Sequence, residues 1–205
     1  LAPTIYLNVI SVGGSSDNPV LDAQPALEYA VRMRRFAVSK QLDRLLASSK
    51  ILPQHIDSLA ATIARFHGSL PAAEFNSPYG TAEVVRQHAE QNFAQLQALL
   101  MEQRDVASLA ALRSSSDSEY AAQRKLFEQR LQQGYVRECH GDLHLGNIVL
   151  IDNQPVPFDG IEFNPALRWI DVINDAAFVV MDLHDRGRPD LAQRFLNTYL
   201  EQTGD

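Results

Sequence analysis

The sequence predicts an α+β fold in which helix dominates. Three observations predict it. The start is rich in β-branched and aromatic residues and is punctuated by a turn. Most of the rest carries apolar residues recurring every three or four positions. Between the helical stretches lies a segment, CHGDLHLGNIVLIDNQPVPFDGIEF (139–163), that reads as a short hairpin flanked by polar groups. Of the 205 residues 45% are hydrophobic, enough to build a core.

TIYLNVISV (4–12) reads as a strand, and Gly13-Gly14-Ser15-Ser16-Asp17-Asn18-Pro19 as the turn that ends it. EYAVRMRRF (28–36) is the second strand of the hairpin this implies. Ile56, Leu59, Ala60, Ile63 and Ala64 follow helical spacing, with Gly68 as the stop. Val85, Ala89, Phe93, Leu96 and Leu100 mark a second helix. Ser114–Ser118 reads as a break, with Ser116 and Glu119 spaced as a capping box that opens a third helix reaching about Gln133, and Gly134 ends it. Ile148–Ile151 and Val156–Phe158 are short strands around the turn Asp152-Asn153-Gln154-Pro155. In the tail, Ile173, Ala176, Ala177, Val180 and Leu183 share one helical face, and Leu191, Phe195 and Tyr199 another.

The formal net charge of −7 disfavours a protein built to grip nucleic acid, which needs a basic surface. A single cysteine, Cys139, excludes an intrachain disulfide framework and fits a reducing compartment, so a cytoplasmic location is expected. No apolar run is long enough to span a membrane, and neither membrane nor nucleic acid is an expected partner.

Within the central segment His140, Asp142 and Asn147 form H-x-D-x(4)-N, and Asp159 follows 12 residues after Asn147. A hairpin between Asn147 and Asp159 brings its flanks together. Carboxylate and amide oxygens suit Mg²⁺, and a further carboxylate, Asp142, suits proton abstraction from a hydroxyl. That combination points to phosphoryl transfer. Cys139 is expected to be a buried, inert thiol, and His67, on the apolar face of its helix, a satisfied core residue. Arg168 is expected to pair with Asp171 or Glu162. Arg32, Arg34 and Arg35 form a basic cluster.

HGDLHLGN resembles the catalytic loop of the aminoglycoside phosphotransferase and choline kinase group of the protein-kinase-like superfamily. PFDG is similar to its metal-binding element, and WIDVINDAAFVVMDL to the helix that follows, with Asp171 and Asp175 four apart. The long form resembles a bacterial branch often fused to a P-loop kinase domain. The resemblance implies a helical lobe and a smaller β lobe that binds ATP. It implies Asp142 as catalytic base and Asn147 and Asp159 as Mg²⁺ ligands. It implies His140, His144 and Asp175 as structural supports, Asp175 by accepting backbone hydrogen bonds from the catalytic loop. It places adenine against backbone groups of Met33, Arg34 and Arg35 at a hinge. Residues 1–38 then form a remnant of the nucleotide-binding lobe with the hinge, and 39–205 the catalytic and substrate lobe, with a small hydroxylated substrate among the helices after Asp159 and over about Phe75 to Ser118.

The family pattern also calls for a glycine-rich loop and a strand lysine ahead of the hinge. The lysines here are Lys40, Lys50 and Lys125, all after it, and Gly13-Gly14 lacks the loop form. The expectation is therefore a chain that begins inside the small lobe, and that alone is inactive. Two other readings stay open. His140, Asp142 and His144 alternate, so on a strand they would share a face and ligate Zn²⁺ or Mn²⁺ in a hydrolase. Alternatively, the chain is a non-catalytic kinase-like binding module.

Overall fold

A computed structural model describes residues 2–74 and 76–205; Leu1 and Phe75, the latter the start of the expected substrate segment, lie outside the described residues. The fold is mostly α with small antiparallel sheets. Two compact units divide the chain. One comprises Leu1–Phe66, Leu143–Asp159 and Val179–Asp205, the other His67–Asp142 and Gly160–Phe178.

The first unit opens with a three-stranded sheet, β1 (Tyr6–Ser15), β2 (Asn18–Leu21) and β3 (Glu28–Met33), in the order β2-β1-β3. This corrects the two-stranded hairpin expected from sequence. The Ser15–Asn18 turn returns the chain as β2 on one edge of β1, and β3 pairs with the other edge. Gly13 and Gly14 consequently sit inside β1, where Gly14 takes φ +84° and a Cβ would strike the Asn18 carbonyl. Then follow α1 (Leu42–Ala47) and α2 (Pro53–Ser69). Gly68 lies inside the last turn of α2 rather than stopping it. Ile56, Leu59, Ala60, Ile63 and Ala64 of α2 are all buried, the stripe that helical spacing foretold, and Leu42 of α1 is fully buried as well. Ala2, Ile5 and Val149 form a small cluster with Phe36, Ile151, Val156 and Phe158 around it.

In the second unit α3 (Ala82–Leu99) packs on α4 (Gln103–Gln132). Thr81 caps α3, its hydroxyl oxygen accepting the Val84 N–H at 3.2 Å. The expected break at Ser114–Ser118 is absent, and α4 runs unbroken for 30 residues. Ser118 turns its hydroxyl back onto the preceding turn, Oγ donating to the Ser114 carbonyl at 2.9 Å, as Ser108 does to the Arg104 carbonyl at 3.0 Å. Ion pairs to α3 brace the same stretch: Arg113 with Glu90, and Asp117 with Arg86. Gly134, at φ +81°, ends the helix.

β4 (Val136–Glu138) leads to the central segment, which contains the hairpin of β5 (Ile148–Ile151) and β6 (Gln154–Pro157). The turn is shorter than expected: only Asp152 and Asn153 form it, both left-handed at φ +50° and +63°, as a two-residue hairpin turn of the primed type requires. After it come α5 (Pro165–Arg168), β7 (Trp169–Asp171), which pairs with β4, α6 (Val172–Asp185) and α7 (Pro189–Thr203). The buried stripe of α6 is Val172, Ala176, Val179 and Leu183; of the face expected from sequence only Ala176 and Leu183 are buried, Ile173 and Val180 are half-buried and Ala177 is exposed.

Candidate functional site

In the second unit the site begins where β4 ends. The Cys139 N–H donates to the Arg168 carbonyl at 2.7 Å, and Gly141 turns the chain with φ +83°. A Cβ there would lie 2.7 Å from the Leu167 carbonyl oxygen, so the turn needs glycine twice over. Asp175, fully buried on α6, anchors this turn. Its Oδ1 accepts the Gly141 N–H at 2.8 Å and its Oδ2 the His140 N–H at 3.1 Å. Oδ2 also lies 3.0 Å from Nε2 of buried His67, which carries the proton because a carboxylate only accepts. Arg137 fastens the end of α2 to β4, donating through Nη1 to the carbonyls of His67 (2.7 Å) and Leu70 (3.0 Å). Asp142 follows Gly141, and its N–H reaches Nδ1 of buried His140 at 3.3 Å.

In the first unit the chain continues as a tight turn, Leu145–Asn147. His144 caps it, Nδ1 accepting the Gly146 N–H at 3.1 Å. The Leu145 N–H donates to Asp182 Oδ2 at 2.9 Å, and Gln41 Nε2 to the Gly146 carbonyl at 2.8 Å. The Asn147 carbonyl then accepts the Phe158 N–H at 2.9 Å, one step beyond the Ile148–Pro157 pair, and closes the hairpin mouth. Asn147 is 9% exposed. Asp159 stands just past the closure in a left-handed conformation, φ +62°, costly for a residue with a side chain. The Tyr6 hydroxyl oxygen accepts its N–H at 2.8 Å, and Phe158 packs edge-on against Phe36 with ring centroids 4.9 Å apart.

Asn147 and Asp159 therefore flank one hairpin mouth, while Asp142 belongs to the other unit. Met33 ends β3, the Arg34 N–H donates to the Ile5 carbonyl at 2.8 Å, and Arg34, Arg35 and Lys40 line a cavity of about 200 Å³ with Asp152.

Two sequence expectations are corrected. Arg168 pairs with Glu138 (2.8 Å); Glu162 offers it only a backbone carbonyl, and Asp171 is held by Arg130 through bonds of 2.6 and 2.9 Å. His140, Asp142 and His144 do not lie on a strand, because β4 ends at Glu138 and Gly141 turns the backbone. Among the described residues the one His/Cys/Asp/Glu group with ligand atoms within 4.8 Å of one another is His67, Cys139 and Asp175. The zinc-hydrolase geometry is thus lost. The buried trio is poorly suited to a metal. Asp175 already accepts three hydrogen bonds, and burial, with the Asp175 charge adding to it, pushes the Cys139 thiol far above its usual range.

Sequence reasoning missed the His67–Asp175 pair, although helical spacing from Leu59 and Ile63 places His67 on the buried stripe. It also missed a cavity of about 840 Å³ in the second unit, between the start of α3, the end of α4 and the stretch from Ala166 to Phe178, with Gly141 on its wall.

Relatives are found in mycobacteria. The uncharacterized proteins Mb2027c of Mycobacterium bovis and MT2060 and Rv2004c of Mycobacterium tuberculosis are each 29% identical to this chain over 178 residues. The alignment covers 87% of this chain but 36% of each relative, so the chain spans little more than a third of their length. Residues 33–205 match the model of the phosphotransferase enzyme family, from the end of β3 through the hairpin to the last helix, and the chain belongs to that family.

Proposed function

We propose that the protein is an ATP- and Mg²⁺-dependent phosphotransferase that moves the γ-phosphoryl group of ATP to a hydroxyl of a small molecule. The observation that carries this reading is the hairpin mouth closed by the Phe158 N–H on the Asn147 carbonyl, with Asn147 at one flank and Asp159 just past the other, in a chain of phosphotransferase ancestry. The donor set fits the ion. Asn147 and Asp159 offer oxygen only, as a hard cation prefers, and the left-handed backbone at Asp159 is the kind of strain that clusters at ligand sites. Bound there, Mg²⁺ neutralises phosphate charge.

The chain's own residues supply the rest. Asp142 accepts the proton of the attacking alcohol as the O–H bond breaks and the O–P bond forms, while the β,γ-bridging oxygen leaves with ADP. Asp175 and His67 fix the backbone of His140 and Gly141, and so the root of Asp142. His144 holds the turn that carries Asn147. In this reading residues 1–38 belong to the nucleotide-binding lobe, with adenine against the Met33–Arg35 backbone, and 39–205 to the catalytic lobe. Because the chain covers 36% of its relatives, the activity is proposed for the whole protein.

The test is a pair of variants in the full-length protein. Asp142→Asn should lower kcat by roughly 10²–10⁴ with little change in Mg-ATP affinity. Asp159→Asn should instead weaken Mg-dependent nucleotide binding. Transfer at the normal rate in Asp142→Asn ends the base assignment.

A further inference from the structure

We propose that the 840 Å³ cavity of the second unit is the acceptor site, and that it takes an uncharged alcohol with a flat apolar body rather than a polycation. The proposal rests on the phosphotransferase reading and names the substrate class of that same site.

The cavity is of the size that encloses a drug-sized molecule. Its walls are chiefly apolar and aromatic: Val85 from α3, Phe127 from α4, Trp169 from β7, and Ile173 and Phe178 from α6. Such walls reward the burial of a ring or hydrocarbon body. Gly141 borders it, and the next residue is Asp142, so an alcohol lying against these walls has a proton acceptor one residue away in the chain.

The charges decide the class. Among the described lining residues the only carboxylate is Asp171. It is already engaged twice by Arg130, at 2.6 and 2.9 Å, and its Oδ1 also accepts the Ile173 N–H at 3.0 Å. The Arg130 guanidinium lies over the Tyr135 ring, 4.1 Å from its centroid, which holds the pair in place. An ammonium group seated against these walls would shed its water and find on them no carboxylate that is not already engaged, and Asp142, the acid beyond Gly141, can serve one reacting group and not the several charges of a polycation. Neutral side chains such as Asn92 and Asn174 can instead orient a hydroxyl by hydrogen bonding. The transfer is then the balanced one given above: the acceptor's O–H bond breaks, its oxygen bonds to the γ-phosphorus of ATP, ADP leaves, and Asp142 takes the proton.

Trp169 on the wall provides a reporter independent of chemistry. In the full-length protein, titration with 2-phenylethanol should give a saturable change in tryptophan emission that is absent from Trp169→Phe. Neamine, a polycationic aminosugar, should give none. Ala177→Leu, which adds bulk to the cavity wall, should weaken 2-phenylethanol binding at least tenfold; if that variant fails to fold, Val85→Phe intrudes from the opposite helix. Saturable neamine binding, no response to 2-phenylethanol, or unchanged affinity in a folded filling variant each overturns the ligand class. The chemistry is read separately as ADP release from Mg-ATP across a panel of neutral aryl and alicyclic alcohols. Binding without release from any of them overturns the acceptor role and leaves the ligand class standing. Release driven by neamine overturns the ligand class and leaves phosphotransfer standing.

Discussion

At the scale of single residues, Asp175 organises the turn ahead of Asp142. It has no exposed surface, and it receives the N–H groups of His140 and Gly141 together with the His67 imidazole. Buried donors left without an acceptor are expensive, and removing one member of a buried charged network costs more than the net worth of the bonds it made. Asp175→Ala should therefore destabilise the protein by about 3–5 kcal/mol in urea unfolding at neutral pH. A loss under about 1 kcal/mol would mean that water or a shifted backbone replaces the carboxylate, and the bracing role would be lost. The residues of the H-x-D-x(4)-N pattern and Asp159 stand out in the sequence because polar groups between apolar runs need a reason. Their partners do not stand out. His67 and Asp175 are 108 positions apart and Tyr6 and Asp159 are 153 apart, and periodicity says which face a side chain occupies but not what it meets there.

At the scale of elements, the readable parts were those whose physics is local. The β5–β6 hairpin follows from Asp152-Asn153, a dipeptide that tolerates left-handed φ, between two apolar runs. The stripes of α2 and α7 follow from their spacing, and Leu191, Phe195 and Tyr199 are indeed buried together on α7. What failed was local chemistry that tertiary contact overrides. The serine run in α4 has poor helix propensity and a capping-box spacing, yet the ion pairs to α3 carry the helix through it, with the Ser118 hydroxyl turned back onto the Ser114 carbonyl. The two alternatives predict opposite signs. If Ser116 capped a helix, Ser116→Ala would cost about 1 kcal/mol. As an interior position of α4 it should instead gain up to roughly 0.5 kcal/mol, because alanine is the better helix former. Chemical denaturation of the variant distinguishes them, and a clear loss of stability would restore the break. The β-rich start was misread for a related reason. Tight turns are visible in composition, but the order of strands in a sheet is set by pairing, and β2 is only four residues long.

At the scale of the whole molecule, a family match over 173 residues, 33–205, ties the hairpin and the helices after it into one evolutionary unit, and no described helix is long and apolar enough to cross a membrane. The net charge of −7 adds a global property, the response to acid. Two surface carboxylates on the helical part are held below their ordinary range by arginine. Hydrogen bonding from Arg188, 2.7–2.8 Å away, holds Asp190 at about 2, and hydrogen bonding from Arg194 lowers Asp57, which also receives Thr198. The first pair sits at the start of α7, where a negative charge also suits the helix dipole; the second joins α2 to α7. A carboxyl whose folded pKa lies below its unfolded value stabilises the fold while it is ionised. For Asp190 that contribution is complete above the ordinary value of 3.8 and disappears as pH falls from there towards about 2. Asp57 behaves alike, with its loss also beginning near 3.8. Asp190→Asn and Asp57→Asn should each lower Tm slightly at neutral pH, and added salt should shrink the difference because both pairs are exposed. The gap between each variant and the parent should then close as pH drops below 3.8. Thermal scans across that range check it; a gap that persists at the acid end would show that the asparagine variants lose packing rather than charge pairing.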